Sequence, residues 1–204
     1  NRKFKKNPGG APANVAVALS RLGAVSSFIG KLGADLLGEF LYDTLQANGV
    51  NTPGVYWTEK ARTGLTFVTL EESGERSFSF YIDPSADRLL KEEEITGELI
   101  EGHKILHFGS ISLIDEPARS ATKKAIDKAR ANGLLVSYDP NLRLDLWPSR
   151  DEARKQISAP LEKVDILKLA AEELEFITGG REVETHARRL ADKYDISLIL
   201  ITFG

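Results

Sequence analysis

The sequence predicts an α/β fold, with a mostly parallel central sheet and helices on both of its faces. Short apolar runs alternate along the chain with amphipathic stretches, which is the rhythm of strands and helices in such a fold. The apolar runs lie at residues 25–29, 105–108, 134–138, 166–169 and 196–203. These runs are short and mainly apolar, as expected for parallel strands that are buried on both faces.

Two of the intervening stretches have a well-defined helical face. One is narrow and made of small residues, namely Ala118, Ala121, Ala125 and Ala129. The other has five residues on one side of a helix, namely Val183, Ala187, Leu190, Ala191 and Tyr194. The spacing of three and four residues in both sets is the period of an α-helix that packs on one side.

One segment departs from this rhythm. Residues 64–70 and 77–82 alternate apolar and polar side chains, and Glu72-Ser73-Gly74-Glu75 lies between them. The pattern predicts an antiparallel hairpin with one face in solvent. Two interpretations stay open for the hairpin: a lid or dimer surface, or an edge hairpin of the main sheet.

Length and composition narrow the class of protein. The chain has 204 residues, 42% of them hydrophobic and 28% charged, which is typical of a folded globular protein. No apolar run is long enough to span a bilayer, and a net charge of −3 argues against nucleic acid, so neither partner is expected. Cysteine is absent, which excludes disulfides and thiolate chemistry and is compatible with a reducing compartment. Methionine is absent even at position 1, so we expect missing ends.

The first candidate site is Gly9-Gly10 in front of a predicted helix. Glycines let the backbone approach a ligand closely, and the start of a helix offers free N–H groups. Asn14, in the first turns, has an amide that can both donate to and accept from a hydroxyl group. On this stretch alone, a tight turn before an alanine-packed helix is the favoured interpretation.

Three more candidates follow predicted strands, where ligands gather in open α/β sheets. The first is the set Asp139, Asn141 and Arg143, in which an arginine fork suits phosphate, and its alternative is a turn held by an Asx bond and Pro140. The second is Lys168 with Glu172 and Glu173, where a carboxylate could hold magnesium; acidic residues that stabilise a helix N-terminus are the favoured alternative. The third is Gly109-Ser110. His107 is expected to be a packed core residue, and the three histidines have no metal-binding spacing.

No P-loop and no Gly-x-Ser-x-Gly sequence is present, which disfavours P-loop kinases and hydrolases. Taken together, the segments resemble the ribokinase-like carbohydrate kinases of the PfkB family. The segments that carry the general resemblance are Gly9-Gly10-Ala11-Pro12-Ala13-Asn14 and Gly30-Lys31-Leu32-Gly33-Ala34-Asp35-Leu36-Leu37-Gly38. Those similar to plant and bacterial fructokinases are Ala61-Arg62-Thr63, Pro84-Ser85-Ala86-Asp87, residues 108–114 and residues 138–149.

The resemblance implies ATP-dependent phosphorylation of the 6-hydroxyl of fructose, with Mg²⁺, in the cytoplasm. It implies a partial α/β kinase domain over residues 1–204, in which residues 56–83 contribute a β lid that can also pair two subunits into a homodimer. By motif, the implied sugar-binding residues are Gly9, Gly10, Asn14, Gly109 and Asn141. Asn141 and Arg143 would face the transferred phosphoryl group, and Lys168 and Glu173 the nucleotide, with Glu173 at its metal.

The sequence also departs from the family pattern. The family's catalytic base is an aspartate in a Gly-Ala-Gly-Asp motif, which is found nowhere in this chain, so the base is unassigned. The family's first strand, with a sugar-binding aspartate, and its later nucleotide-binding part are also missing, so we expect an incomplete chain. Ala170 stands where many relatives have asparagine, which puts a contact on the metal side in doubt.

Two alternatives to a fructokinase stay open. One is another kinase of the same fold, acting for example on 2-keto-3-deoxygluconate. Ile82 disfavours that substrate, because an arginine that helps to hold the substrate carboxylate is common at this position in such kinases. The other is an inactive homologue that binds sugar and serves regulation.

Overall fold

The structure, a computed structural model, describes residues 4–70, 76–82 and 84–203. The chain divides into two compact units, residues 1–90 and residues 91–204. No helix among the described residues is long and apolar enough to cross a membrane. The two units are therefore taken in turn.

Unit 1 begins with two helices that alternate with two parallel strands. The elements are α1 (Ala11–Arg21), β1 (Ser27–Gly33), α2 (Leu36–Ala47) and β2 (Asn51–Thr58). β1 and β2 pair in parallel. A small core joins them and contains Ala16, Leu32, Leu45, Val50 and Val55.

The start of β1 differs from the prediction. The strand predicted at residues 25–29 begins at Ser27, and Val25 is 86% exposed. The reason is that the backbone N–H of Ala24 still bonds to the carbonyl of Leu19 in α1. Val25 thus belongs to the connection and not to the strand.

The predicted hairpin is confirmed as β3 (Leu65–Leu70) and β4 (Arg76–Tyr81), which pair antiparallel. Among the described residues these strands form a sheet of their own, so the interpretation as an edge hairpin of the main sheet is wrong. Apolar residues lie on both faces, because the pairs Leu65–Tyr81 and Val68–Phe78 are on opposite sides of the ladder and all four are more than a third exposed. Residues 72–75, between the strands, lie outside the described residues.

Unit 2 contains a parallel sheet in the order β5-β6-β7-β8. Its strands are β5 (Ile105–Gly109), β6 (Leu135–Asp139), β7 (Ile166–Ala170) and β8 (Leu198–Thr202). The helices are α3 (Ala118–Ala131) between β5 and β6, α4 (Arg150–Ser158) between β6 and β7, and α5 (Ala171–Thr178) and α6 (Val183–Tyr194) between β7 and β8. Four of the five predicted strands are thereby confirmed, and the alanine face of α3 is buried as expected.

Burial within unit 2 differs between the two faces of the sheet. Val136, Tyr138, Leu167 and Leu169 share one face and have no exposed surface. Their neighbours on the other face are about half exposed, at 47–50% for Ile105, Leu135, Leu198 and Leu200. The expectation of burial on both faces therefore holds for one face only within this unit, because its helices pack against that face.

Candidate active site

In unit 1 the predicted glycines precede α1 directly. Gly10 has a φ of +102°, a conformation that favours glycine, and its carbonyl accepts the backbone N–H of Asn14 at 2.9 Å. Gly9, Gly10 and Asn14 are all exposed. The tight turn of the first interpretation is therefore present, and it presents the start of an 11-residue helix to solvent. Contact of these residues with a sugar stays a prediction.

A second polar cluster in unit 1 was not predicted from the sequence. One oxygen of Asp35 accepts the backbone N–H groups of Leu37 and Gly38, and the other accepts that of Thr63 at 2.9 Å. The Thr63 hydroxyl accepts the N–H of Gly33 at 3.0 Å. Burial raises the pKa of Asp35, but these hydrogen bonds outweigh it and the net pKa is lowered. The cluster ties the start of α2 to the segment that leads into the hairpin.

Close packing requires glycine in this cluster. A Cβ atom on Gly38 would lie 2.1 Å from the carbonyl oxygen of Gly33. A Cβ atom on Gly33 would lie 2.6 Å from the backbone nitrogen of Thr63. The spacing Gly33-x-Asp35-x-x-Gly38 was the available sequence signal.

In unit 2 the structure brings Asp139 and Lys168 together at the carboxyl ends of β6 and β7. The Lys168 ammonium lies 3.2 Å from Oδ2 of Asp139, and the two side chains are 36% and 25% exposed. Oδ1 of Asp139 also accepts the N–H of Asn141 at 3.1 Å, and Asn141 has a φ of +45°. The predicted Asx turn is thus confirmed. It fixes the path of the chain towards Arg143.

Glu173 braces this edge from the first turn of α5. Its Oε1 accepts the N–H of Leu142 at 2.6 Å, and its Oε2 accepts the N–H of Ala170 at 2.8 Å. Glu173 is 8% exposed, whereas Glu172 next to it is exposed. The carboxylate therefore joins the loop after β6 to the end of β7, and the interpretation as a residue that stabilises the helix N-terminus is confirmed. The metal role predicted for Glu173 stays a prediction.

Arg143 and Gly109 lie at the same edge. Arg143 is half-buried, and its Nη1 donates to the carbonyl of Leu142 at 2.8 Å. Gly109 pairs with Asp139 across the ladder, and the N–H of Ser110 donates to the carbonyl of Pro140 at 3.1 Å. The hydroxyl of Ser110 is buried and has no hydrogen-bond partner among the described residues. The predicted residues of unit 2 thus converge on the ends of β5, β6 and β7.

The interior beside this edge is apolar and disfavours charge. Tyr138 stacks on Phe108 with 4.3 Å between ring centroids, and burial raises its pKa well above the usual value. His107 contacts the Ser137 hydroxyl at 3.0 Å through Nδ1. Burial lowers the pKa of His107, against the opposing effect of Asp139. His107 therefore fits the predicted role of a packed residue.

The carboxylates that the structure describes do not form a metal site by themselves. No group of three or more His, Asp or Glu residues in the described part of the chain could hold a metal ion. Both oxygens of Glu173 already accept backbone N–H groups, and Asp139 is paired with Lys168. Mg²⁺ prefers several oxygen ligands in octahedral geometry, which these residues do not supply.

Comparison with known proteins identifies the family of carbohydrate kinases to which this fold and this polar edge belong. The sequence model of the pfkB family carbohydrate kinases matches residues 1–204. The chain belongs to this family. The family resemblance and the predicted fold class are thus confirmed.

The relatives narrow the class to proteins named as fructokinases. The chain is 50% identical over 201 residues to the probable fructokinase-2 of Arabidopsis thaliana and 49% identical to fructokinase-2 of Solanum lycopersicum, with 98% of this chain covered in each case. It spans 61% of the length of these two relatives.

Two solved structures that match this fold are also named as fructokinases. The fructokinase of Xylella fastidiosa matches with a TM-score of 0.84 at 35% identity, over 100% of this chain and 66% of that one. The fructokinase of Vibrio cholerae O395, in a form with bound fructose, ADP and calcium ion, matches with a TM-score of 0.88 at 38% identity, over 98% of this chain and 64% of that one.

Proposed function

We propose that this protein is an ATP-dependent kinase that phosphorylates D-fructose at its 6-hydroxyl to give fructose 6-phosphate and ADP. The observation that carries the proposal is the polar edge of unit 2, where Asn141 and Arg143 follow the end of β6 and Lys168, within the neighbouring strand β7, pairs with Asp139. A second support is the solved fructokinase that binds fructose and ADP and has this fold with a TM-score of 0.88. About 50% identity to plant fructokinases agrees with the same substrate.

Within this proposal the residues divide by chemistry. Asn14, Asn141 and the exposed backbone at Gly9 and Gly10 suit the hydroxyl groups of a sugar, because amide and backbone groups both donate and accept hydrogen bonds. Arg143 and Lys168 suit phosphate oxygens, because a guanidinium and an ammonium group form charge-assisted hydrogen bonds with phosphate. Phosphoryl transfer depends mainly on positioning and charge stabilisation, which these groups can supply.

Within the proposal, Asp139 and Glu173 hold other residues of the candidate active site in position. Asp139 holds the ammonium of Lys168 and the turn at Asn141. Glu173 holds the loop that carries Arg143, through the N–H of Leu142. The catalytic base stays unassigned, since the chain contains no Gly-Ala-Gly-Asp sequence.

We propose Mg²⁺ as the metal of the reaction, bound to the phosphates of ATP. Mg²⁺ usually keeps several waters and binds through substrate phosphates, so it needs few protein carboxylates. This agrees with the absence of a metal cluster among the described residues. The charge that it supplies there neutralises phosphate oxygens.

The proposal is tested by measuring ADP release from ATP and Mg²⁺ by the full-length gene product. Fructose, glucose, ribose and 2-keto-3-deoxygluconate are offered in parallel. We expect release that depends on fructose, with kcat/KM at least tenfold above that for the other three substrates. ADP release with 2-keto-3-deoxygluconate alone would show that the protein is a keto-acid kinase of the same fold and not a fructokinase. Fructose binding without release from any substrate would show an inactive sugar-binding homologue.

We also propose that hairpin β3–β4 pairs two copies of the chain. Both of its faces expose apolar side chains, and Val68 is 54% and Tyr81 64% exposed. Exposed apolar patches of this kind mark interaction surfaces. Sedimentation equilibrium is expected to show a dimer that Val68→Lys dissociates, and a monomeric parent protein would contradict the proposal. Cytoplasmic location stays a prediction.

A further inference from the structure

A groove in unit 2 carries an excess of positive charge that the proposed kinase reaction does not use. It lies between α4 and α6, is lined also by residues of the last turn of α5, and has a volume of about 560 Å³. We call it the α4–α6 groove. Its ionisable wall residues, apart from a tyrosine, are Asp151, Arg154, Lys155, His186, Arg189 and Lys193. The groove is thus lined by four arginine and lysine side chains and one carboxylate.

Helical spacing places these side chains on facing walls. On α4, Arg154 and Lys155 follow Asp151 by three and four residues, so all three share one side of the helix. On α6, Arg189 and Lys193 are four residues apart and flank Leu190, which is 5% exposed. Leu190 and Ile177 line the groove between these walls. The α4–α6 groove therefore has apolar residues at its base and basic residues on its two sides.

Arg154 is held in place before any ligand arrives. Its Nε donates to the carbonyl of Phe176 at 2.9 Å, and its guanidinium lies 5.1 Å from the centre of the Phe176 ring. Phe176 is buried, so this anchor is fixed. Asp151 is 3.8 Å from the guanidinium with a side chain that is 95% exposed, and such surface pairs contribute little. A fixed guanidinium loses little freedom when it binds an anion.

Although the Lys193 ammonium lies 4.6 Å from the centre of the Tyr194 ring, three of the basic residues of the groove have no carboxylate partner within the described part of the chain. No carboxylate there lies within 4.0 Å of the side-chain nitrogens of Lys155, Arg189 or Lys193. Arg189 and Lys193 are like charges at positions i and i+4, which destabilises a helix slightly. A bound anion would remove this repulsion.

The groove is separate from the candidate active site of the same unit. Glu173 lies in the first turn of α5, whereas Thr178, which lines the groove, is its last residue. Glu173 and Thr178 are five residues apart, which is about 7.5 Å along the helix axis, so they lie towards opposite ends of α5. An anion in the groove would therefore be a second ligand and not the phosphoryl group transferred at Arg143.

We propose that the α4–α6 groove binds a small molecule that carries two or more phosphate groups. A volume of about 560 Å³ is in the range of small-molecule sites. Arginine and lysine together suit phosphate by fork and by point charge. A nucleic acid is disfavoured, because Glu175, Glu184 and Asp192 lie near the basic residues in sequence and the chain has a net charge of −3.

The test is calorimetric titration of the full-length protein with inorganic pyrophosphate at 150 mM NaCl. We compare the parent with the double variant Arg189→Gln/Lys193→Gln. Lys128→Gln is the matched control, because Lys128 is also a lysine in the last turn of a helix, α3. Arg143→Ala removes a cation from the candidate active site instead. We expect the parent to bind one pyrophosphate in the α4–α6 groove. The affinity for pyrophosphate should be at least tenfold lower in the double variant and unchanged in Lys128→Gln and Arg143→Ala.

Three outcomes would overturn the proposal. The first is equal affinity of the parent and the double variant. The second is binding that Arg143→Ala abolishes, which would place the pyrophosphate at the candidate active site. The third is no pyrophosphate binding by the parent protein; tight binding of a 20-nucleotide RNA that the double variant loses would then show a nucleic-acid site instead. A circular dichroism spectrum equal to that of the parent shows that the double variant is folded, and this control does not depend on the proposed kinase activity.

Discussion

Replacing Arg143 with alanine is expected to lower kcat/KM for fructose by about 10²–10³-fold, the usual effect of removing one group that stabilises charge in the transition state. Arg143 is half-buried at the carboxyl end of β6, in the loop that the Asx turn of Asp139 and the carboxylate of Glu173 hold in place. A guanidinium fixed there would meet the phosphoryl group with two parallel N–H groups. Arg143→Lys should recover only part of the loss, because lysine keeps the charge but not the fork.

The control for this prediction is Arg188→Gln. Arg188 is an exposed arginine of α6 whose guanidinium bonds to Glu184 on the same helix. Its removal is expected to leave kcat/KM within about twofold, since surface ion pairs contribute little. Equal activity of the parent and Arg143→Ala, with both proteins folded by circular dichroism, would contradict the role proposed for Arg143.

Replacing Glu173 with alanine is expected to lower the free energy of unfolding by about 2–4 kcal/mol. Glu173 accepts two backbone N–H groups, of Leu142 and Ala170, and each donor left without a partner costs about 1–3 kcal/mol. For a protein of this size the melting temperature should fall by roughly 5–15 °C. Glu172→Ala is the matched control, because Glu172 is exposed in the same helical turn, and it should change the melting temperature by less than about 2 °C.

Glu173→Gln separates the bracing role from the predicted metal role. An amide has one oxygen, so it can satisfy only one of the two N–H groups and should cost part of the stability of the parent protein without Mg²⁺ present. Loss of a metal ligand would instead raise the Mg²⁺ concentration needed for activity. An unchanged melting temperature together with a raised Mg²⁺ requirement would contradict the bracing role.

The sequence predicts β5–β8 well because their signal is local. Four apolar runs, separated by helical stretches, are sufficient to indicate parallel strands. β2 was missed because Pro53 and Gly54 lie inside it and usually indicate a turn. Its pairing with β1 makes it a strand, and that pairing is not visible in its own residues. Val25 was wrongly predicted to lie in a strand because it is apolar. It lies in the connection between α1 and β1.

The candidate site shows the same division between local and tertiary signals. The Asx turn of Asp139 and Asn141 depends on residues two apart, and the sequence predicts it. The pair of Asp139 with Lys168 joins residues 29 apart, and the bond from Leu142 to Glu173 joins residues 31 apart. Because ligands bind at the carboxyl ends of parallel strands, the sequence predicted that these residues lie near one another. Only the fold shows which of them are paired. The local bonds of Asp35 to Leu37 and Gly38 had a sequence signal in the glycine spacing, but the link to Thr63 was not visible because these residues are 28 positions apart.

The most direct test of the account is the identity of the product that the full-length protein makes from fructose and ATP. Phosphorus and carbon NMR of the reaction mixture distinguish a phosphate on C6 from one on C1. The account predicts fructose 6-phosphate, formed in equal amount with ADP. Fructose 1-phosphate would contradict the proposed 6-hydroxyl, and ADP formed without any sugar phosphate would contradict a kinase that acts on fructose.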